Sequence, residues 1–303
     1  MCKAFLKDGF QVRVFDLDTP RNRESAAQLE GRAEVVWGDI TQPDSVRNAL
    51  EGVDAVVHMA AILPPLADEK PDLARKVNIG GTRLLVDLMH ERGGHVPFVF
   101  TSSVAVFGPT PATTEPLCPD KHVPKPQGPY AETKLEAEDI IKQSGIDYLI
   151  LRLTAVMYFT FEVSDLRRMF EIPLNNRLEF CHPDDLAVAI VNAVKRFDAV
   201  KGNTLVVSGG PDQRMLYKDM VGNMLGVLGL PLPPDGKFSR EPYYLDWYET
   251  AKTQELLRFQ RKTFRDYLRD YSSGLSRRYS ALFLPFMRYF VGPVFGKAVV
   301  QFM

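Results

Sequence analysis

The sequence contains little cysteine and little histidine. Its 303 residues include three cysteines and five histidines, and none has the C-x-x-C or H-E-x-x-H spacing of a metal site. The cysteines, Cys2, Cys118 and Cys181, are odd in number and far apart, which fits a reducing compartment better than a disulfide framework. We therefore predict neither a metal centre nor a disulfide-stabilised fold.

An excess of charge of either sign is also missing. The 37 Lys and Arg residues nearly balance the 38 Asp and Glu residues, so the net charge is −1. No basic field therefore points to a nucleic-acid partner. The first ten residues are mixed in charge, which is atypical of a signal peptide. These features predict a cytoplasmic protein.

Long uninterrupted apolar runs are absent as well. Residues 281–303 are rich in Leu, Phe, Val and Met, but they include Arg288, Lys297 and several Pro and Gly residues. A spanning helix needs about 20 mostly apolar residues with few charges. We therefore predict that this tail packs against a partner subunit, as in a homodimer, or docks on a membrane surface. Both alternatives stay open.

What the chain does contain is a regular alternation of strands and helices. β-type runs at 11–15, 33–37, 53–58, 96–100, 147–151 and 202–210 are separated by helix-forming stretches, including 23–29, 41–50, 74–89 and the segment from Pro129. This alternation predicts an α/β fold with a Rossmann-like, doubly wound parallel sheet. Such sheets bind ligands beyond the carboxyl ends of their strands.

A tyrosine and a lysine lie four residues apart in the helix predicted from Pro129. Pro129 suits a first helical turn because it has no N–H to lose there. Tyr130 and Lys134 therefore share one helix face, where an ammonium favours a phenolate that can exchange a proton. The spacing alone is also typical of a surface tyrosine beside a solvated lysine.

Polar and small residues follow the predicted strands where a ligand is expected. They are Asp16, Asp39, Met59, Ala60, Ala61, Ser102 and Ser103. An acid after the second strand of such a fold can accept hydrogen bonds from ribose hydroxyls. Roles in turns and helix caps explain the Asp and Ser residues equally well.

Eight short motifs occur in one order between about residues 5 and 260. They are Val14-Phe15-Asp16, Gly38-Asp39-Ile40, Val57-His58-Met59-Ala60-Ala61, Asn78-Ile79-Gly80-Gly81-Thr82, residues 100–108, Tyr130-Ala131-Glu132-Thr133-Lys134, Leu151-Arg152-Leu153 and His182-Pro183-Asp184-Asp185-Leu186-Ala187. In this order they resemble the extended short-chain dehydrogenase/reductase family, the NAD-dependent epimerase/dehydratases typified by UDP-galactose 4-epimerase.

The resemblance implies roles for individual residues. The catalytic set it implies is Ser103, Tyr130, Lys134 and Asn78, with Tyr130 as acid/base and Ser102 as the alternative to Ser103. The cofactor-binding set is Asp16, Asp39, Ile40, Met59, Ala60, Ala61, Tyr130 and Lys134. Asp16 implies NAD rather than NADP, although Arg21 and Arg23 lie nearby. For His182 and the Asp184-Asp185 pair, capping of a helix is predicted rather than metal binding.

The family's first strand and Gly-rich turn have no counterpart before Asp16. Residues 1–9 look like the end of the helix that should follow that turn. We expect the natural chain to be longer, since Ser103, Tyr130 and Lys134 are kept together; a truncated, cofactor-poor relative is the alternative. Without those glycines, the chain as written is expected to bind NAD weakly, because their backbone N–H groups approach the pyrophosphate.

The resemblance also divides the chain. We predict a dinucleotide-binding domain over 1–155 and 178–210, a substrate-side lobe over 156–177 and 211–280, and the apolar tail over 281–303. The short segment 157–179 holds Tyr158, Phe159, Phe161, Arg167, Arg168 and Phe170. Trp247 is expected in the core of the lobe.

The predicted function is that of an NAD-dependent oxidoreductase or epimerase acting on a hydroxyl or carbonyl carbon. A nucleotide sugar is the substrate type that the resemblance implies, and a lipid- or sterol-like alcohol is the alternative. A non-catalytic binding protein on the same scaffold is a further alternative.

Overall fold

The computed structural model describes residues 1–110, 115–157 and 168–278. The strands are β1 (Arg13–Asp16), β2 (Glu34–Trp37), β3 (Val56–His58), β4 (Phe98–Ser103), β5 (Tyr148–Leu153), β6 (Ala155–Val156), β7 (Arg177–Cys181), β8 (Thr204–Val207) and β9 (Arg214–Leu216).

Helices separate most of these strands. They are α1 (Cys2–Lys7), α2 (Pro20–Ala27), α3 (Pro43–Leu50), α4 (Leu66–Glu69), α5 (Pro71–Ala74), α6 (Thr82–Glu91), α7 (Pro129–Gln143), α8 (Pro183–Lys195), α9 (Phe197–Val200), α10 (Tyr217–Val227), α11 (Ala251–Leu257) and α12 (Phe264–Arg278). A π-helical segment, Arg75–Gly81, joins α5 to α6, and a 3-10 turn, Val104–Phe107, follows β4. Among the helices of the described ranges, none combines the length and the apolar character that crossing a bilayer requires.

The central sheet is parallel, with strand order β3-β4-β5-β8. Alternate side chains of a strand point to opposite faces, and β4 shows this clearly. Val99 packs with α8 on one face, whereas Phe98 and Phe100 pack with α6 and α7 on the other. Helices on both faces of a parallel sheet confirm the predicted α/β, Rossmann-like fold.

The parallel pair β1-β2 is not hydrogen-bonded to the central sheet in the described part of the chain. β1 pairs only with β2, and β3 pairs only with β4. The side chains of Val56 and Val57 are consequently half-buried, and only His58 of this strand is buried. Of the β-type run predicted at 53–58, only Val56–His58 forms the strand.

A second sheet, β6-β7-β9, was not anticipated from the sequence. β6 and β7 are parallel, and β7 and β9 are antiparallel. β6 has only two residues and β9 only three, too few to display an alternating pattern. Phe180 of β7 lies in an apolar cluster with α10 and α12. The division into two domains stays a prediction.

Two other expectations need correction, and several residues named in the sequence analysis lie outside the described residues. Trp247 is half-buried, with the guanidinium carbon of Arg177 4.8 Å from its ring centroid; the neighbouring Tyr248 is the fully buried aromatic. The α2 helix begins at Pro20 instead of Arg23, because Thr19 accepts a hydrogen bond from Asn22 N as its N-cap. Tyr158, Phe159, Phe161, Arg167 and residues 281–303 lie outside the described residues.

Candidate active site

The α7 helix presents Tyr130 and Lys134 on one face, as predicted. Gly128, with φ of 85°, adopts the left-handed conformation before the helix, and Pro129 occupies its first turn. Tyr130 is half-buried, whereas Lys134 is 3% exposed. The Tyr130 side chain is therefore partly exposed to solvent, whereas the Lys134 side chain lies inside the protein.

Lys134 is held against the end of β4. Its Nζ donates a hydrogen bond of 2.6 Å to Thr101 O and lies 4.4 Å from the centroid of the Phe100 ring. Burial lowers the pKa of Lys134 to about 7, although the nearby Glu138 carboxylate opposes this shift. The side chain is therefore poised between its charged and neutral forms near neutral pH.

The two serines at the end of β4 have different surroundings. Ser102 is buried, and its Oγ donates a 2.7 Å hydrogen bond to Glu138. Ser103 is half-buried, and its Oγ accepts a 3.1 Å hydrogen bond from Ala105 N. That bond uses the oxygen as an acceptor and leaves the hydroxyl proton for another acceptor. Of the two serines, Ser103 is the more exposed, and its contact with a substrate stays a prediction.

Asn78 lies in the π-helical segment and joins three parts of the chain. Its Oδ1 accepts from Ile62 N at 2.7 Å, and its Nδ2 donates to Ile62 O at 3.1 Å and to Thr133 Oγ1 at 3.0 Å. The amide therefore ties the loop after β3 to the helix that carries Tyr130. π-helical turns often occur at functional sites.

We expect that Asn78→Leu lowers the free energy of unfolding by about 2–4 kcal/mol, because buried hydrogen-bonding groups lose their partners. Urea unfolding of the variant and the wild type measures this loss. Asn223→Leu, at an exposed position of α10, is the matched control. Equal losses in the two variants would contradict the structural role given to Asn78.

The predicted cofactor residues lie at the carboxyl ends of β1, β2 and β3. Asp16 is exposed, and its Oδ1 accepts a 2.8 Å hydrogen bond from Leu17 N. Asp39 is half-buried and accepts from Thr41 N at 2.8 Å. Met59 is 41% exposed and Ala60 is exposed. Among the residues at these strand ends, Asp16, Met59 and Ala60 are exposed, whereas Asp39 and Ala61 are half-buried. Ile40 is half-buried and packs into the core on the α6 side.

Arg23 is paired with an acid other than Asp16. Its guanidinium makes two hydrogen bonds to the Asp18 carboxylate, at 2.5 and 2.6 Å, and lies 5.8 Å from the centroid of the Trp37 ring. The hydrogen bond from Arg23 lowers the pKa of Asp18. Because Arg23 is already paired with Asp18, the structure favours the acidic Asp16 as the group that a ribose would contact.

The motif beginning at His182 caps a helix, as predicted. His182 Nδ1 accepts a hydrogen bond of 3.1 Å from Asp184 N at the start of α8. Asp185 accepts hydrogen bonds from the backbone N–H groups of Arg261 and Lys262. His182, Asp184 and Asp270 lie close enough to hold a cation, but the Lys262 ammonium already pairs with both carboxylates.

Two groups near Tyr130 were missed by sequence reasoning. The first is the buried pair of Glu138 and Arg152, whose side chains form a bidentate ion pair. The only indication of this pair in the local sequence is that Glu138 lies four residues after Lys134. The second is Tyr243 with Tyr244, whose ring centroids are 4.2 Å apart. Burial raises the pKa of the Tyr244 phenol well above its usual value, and Tyr243 and Tyr130 contribute to the shift.

Comparisons with known proteins identify the family and the fold of the chain. The family model described as the NAD dependent epimerase/dehydratase family matches residues 1–164, just over half of the chain. An uncharacterized protein of Sinorhizobium fredii is 36% identical over 207 residues, which are 64% of this chain and 49% of that protein. A 3 beta-hydroxysteroid dehydrogenase/Delta 5-->4-isomerase of Mycobacterium tuberculosis is 32% identical over 157 residues, 48% of this chain and 40% of that enzyme. These matches span less than half the length of the curated relatives.

A solved structure is similar in fold to most of this chain. A UDP-glucose 4-epimerase from Stenotrophomonas maltophila, crystallised with NAD and formylated UDP-arabinopyranose, superposes with a TM-score of 0.75 at 18% identity. The superposition covers 92% of this chain and 95% of the epimerase chain. At this identity the likeness shows the fold alone. Because the family model covers more than half of the sequence, the chain belongs to the NAD-dependent epimerase/dehydratase family.

Proposed function

We propose that this protein transfers a hydride between a hydroxyl-bearing carbon of a small molecule and NAD. The observation that carries the proposal is the placement of Tyr130: its phenol is half-buried, whereas Lys134, one turn further on, is buried against β4. When bound, NAD supplies the hydride-accepting chemistry. In this proposal Tyr130 Oη takes the substrate hydroxyl proton, and Ser103 Oγ orients the reacting oxygen.

The residues at the carboxyl ends of β1, β2 and β3 suit the adenosine end of the cofactor in this proposal. Asp16 offers a carboxylate for the ribose hydroxyls, and the small side chains of Ala60 and Ala61 let a flat group approach the backbone. An exposed Met59 beside them provides apolar contact for a cofactor. NAD is therefore proposed over NADP.

For the substrate, we propose a nucleotide sugar, the type of molecule bound to the superposed epimerase. A sterol-like alcohol is the second candidate, because the surface beside Tyr130 has apolar and aromatic character. Leu63, on the loop tied by Asn78, is 45% exposed, and Leu66, at the start of α4, is 37% exposed. Arg168 donates a 3.0 Å hydrogen bond to Pro64 O in that loop. The steroid enzyme among the relatives fits this candidate.

The proposed function is tested by incubating the full chain with NAD and either UDP-sugars or a 3-hydroxysteroid. NADH formation, or interconversion of sugar epimers followed by chromatography, is the expected result. If NAD binds while neither substrate class reacts, both proposed substrate assignments are wrong. If NAD does not bind even at concentrations far above the dissociation constants usual for NAD-dependent enzymes, the proposed activity is wrong for this chain.

We expect that Asp16→Ala weakens NAD binding by about tenfold or more, because hydrogen bonds from the ribose hydroxyls to a carboxylate are lost. Calorimetric titration with NAD and with NADP measures both the loss and the change in preference. Glu24→Ala removes another exposed acid, on α2, and is expected to leave NAD affinity unchanged. Equal NAD affinities of the two variants would show that Asp16 does not bind the cofactor.

A further inference from the structure

Thr133 is a buried residue of α7 that lies between Tyr130 and Lys134 in the sequence. Its Oγ1 donates a 2.9 Å hydrogen bond to Tyr130 O and accepts one of 3.0 Å from Asn78 Nδ2. A threonine hydroxyl has a single proton, so these two bonds fix its direction. Threonines in helices often bond to a carbonyl oxygen one turn back. Here a side chain from another element holds the same hydroxyl from its other side.

Asn78 offers Thr133 a fixed partner. Asn78 Oδ1 accepts from Ile62 N at 2.7 Å, and Asn78 Nδ2 also donates to Ile62 O at 3.1 Å; a flipped amide would bring two donors together, so the amide has one orientation. On the backbone side, Thr82 Oγ1 donates to Asn78 O at 2.6 Å and lies 2.9 Å from His58 Nε2. Because the Thr82 proton is already used, His58 Nε2 is the donor to Thr82. Buried contacts therefore hold Asn78 on both sides.

These hydrogen bonds form a continuous chain from the loop after β3 to the backbone of Tyr130. At the loop end, Ile62 follows directly after the residues proposed to line the cofactor, Met59, Ala60 and Ala61. At the other end, Tyr130 lies in the first turn of α7, whose N-cap residue, Gly128, provides no side-chain cap. Helix ends without a cap fray more readily. The bond from Thr133 to Tyr130 O therefore restrains a turn that lacks the usual restraint.

We propose that Thr133 is a positioning residue for proton transfer: its hydroxyl ties the first turn of α7 to the loop proposed to hold the cofactor, and so sets where the Tyr130 phenol lies. This inference rests on the function proposed above. Lys134 does not need this restraint, because its own Nζ is bonded to Thr101 O. A general acid or base must lie within hydrogen-bonding distance of the reacting oxygen, and a displacement of about 1 Å can lower the rate by about 10²-fold.

The test compares Thr133→Val, which keeps the shape of the side chain without the hydroxyl, with Thr133→Ser, which keeps the hydroxyl. In the full chain at saturating NAD, Thr133→Val is expected to lower kcat by about 10–100-fold, with a much smaller change in the KM of the substrate. Thr133→Ser is expected to regain most of the wild-type kcat. A wild-type kcat in folded Thr133→Val, or a loss that Thr133→Ser does not regain, would overturn the proposal.

Two further variants separate positioning from folding. Thr250→Val removes another buried threonine hydroxyl, which accepts a 3.4 Å hydrogen bond from Gln260 Nε2, and is expected to leave kcat unchanged. An equal loss of kcat in Thr250→Val and Thr133→Val would show a general effect of losing a buried hydroxyl, which contradicts the proposal. Thr133→Ala replaces Thr133→Val if the latter does not fold, because alanine favours a helix. It is expected to show the same loss of kcat, and a wild-type kcat would again overturn the proposal.

The placement of Tyr130 is also measured without substrate. Tyrosine carrying carbon-13 beside the phenol oxygen is incorporated into the full chain, and the Tyr130 resonance is assigned by its absence in Tyr130→Phe. Thr133→Val is expected to shift or broaden this resonance, Thr133→Ser to restore it, and Thr250→Val to leave it in place. A resonance that does not change in Thr133→Val would show that the hydroxyl does not position Tyr130.

Failure of this inference differs from failure of the proposed function. If Tyr130→Phe is inactive while Thr133→Val keeps the wild-type kcat, the proton-transfer function stands and the role of Thr133 is overturned. If the wild-type chain shows no turnover although the Tyr130 resonance changes in Thr133→Val and recovers in Thr133→Ser, the placement of Tyr130 by Thr133 is supported and the proposed function fails.

Discussion

Tyr130→Phe is expected to lower kcat/KM by about 10²–10⁴-fold, the usual contribution of a positioned general acid or base. The substitution removes one oxygen from a half-buried side chain at the start of α7 and leaves the ring in place. NAD affinity is expected to change little, because most cofactor contacts in the proposed site come from the ends of β1, β2 and β3. NADH formation measures turnover, and calorimetry measures the affinity.

Tyr148→Phe is the matched control for this prediction. Tyr148 is also half-buried, but it begins β5 and packs into the core beside α6 and α7. Its variant is expected to keep wild-type turnover. Full activity of Tyr130→Phe would assign the proton transfer to another group, and equal losses in both variants would indicate a general effect on folding.

Lys134→Met is expected to abolish most turnover and, at low pH, to stabilise the fold. The pKa of Lys134 is about 7 in the folded protein, against 10.5 for an ordinary lysine. Below pH 7 both folded and unfolded chains carry the proton, so the folded state bears the full cost of a buried ammonium. Between pH 7 and 10.5 the folded protein releases the proton while the unfolded chain keeps it, so wild-type stability rises with pH relative to a non-titrating side chain.

The gain in unfolding free energy from Lys134→Met is therefore expected to be roughly 2–3 kcal/mol larger at pH 6 than at pH 9. Loss of the hydrogen bond to Thr101 O offsets part of the gain at both pH values. Urea unfolding of the variant and the wild type at both pH values measures the gain in unfolding free energy at each pH. The titration of other groups contributes equally to the two proteins and therefore cancels from this gain. Lys218→Met, at an exposed position of α10, is the control and is expected to show no such pH dependence. A gain that is the same at both pH values would contradict the buried-ammonium account.

Local sequence patterns were sufficient for the parts of the fold that depend on neighbouring residues. The parallel strand β5 is apolar over most of its length, and β4 begins with the apolar run Phe98-Val99-Phe100; such runs between helical stretches predict a parallel sheet. Tyr130 and Lys134 share a helix face because they are four residues apart, and His182 caps α8 within two residues. Each of these features depends only on residues that lie close together in the sequence.

Features that join distant residues were not predictable in this way. β7 pairs with β9 across more than 30 residues, and β6 is too short to show a period. Tyr130 contributes to the raised pKa of Tyr244, which lies more than 100 residues later in the chain. No local period relates such positions, so their proximity follows only from the packing of the helices and sheets.

The sequence by itself determined the α/β class, the alternation of helices with the strands of the parallel sheet, and the position of Tyr130 and Lys134 on one helix face, since all three follow from hydrophobic period and short-range spacing. The tertiary structure decided what surrounds that pair. It buries Lys134 against Thr101, and it places Arg152 of β5 on Glu138 of α7. Burial and long-range charge set the protonation of these groups, and both arise only when separate elements of the chain pack together.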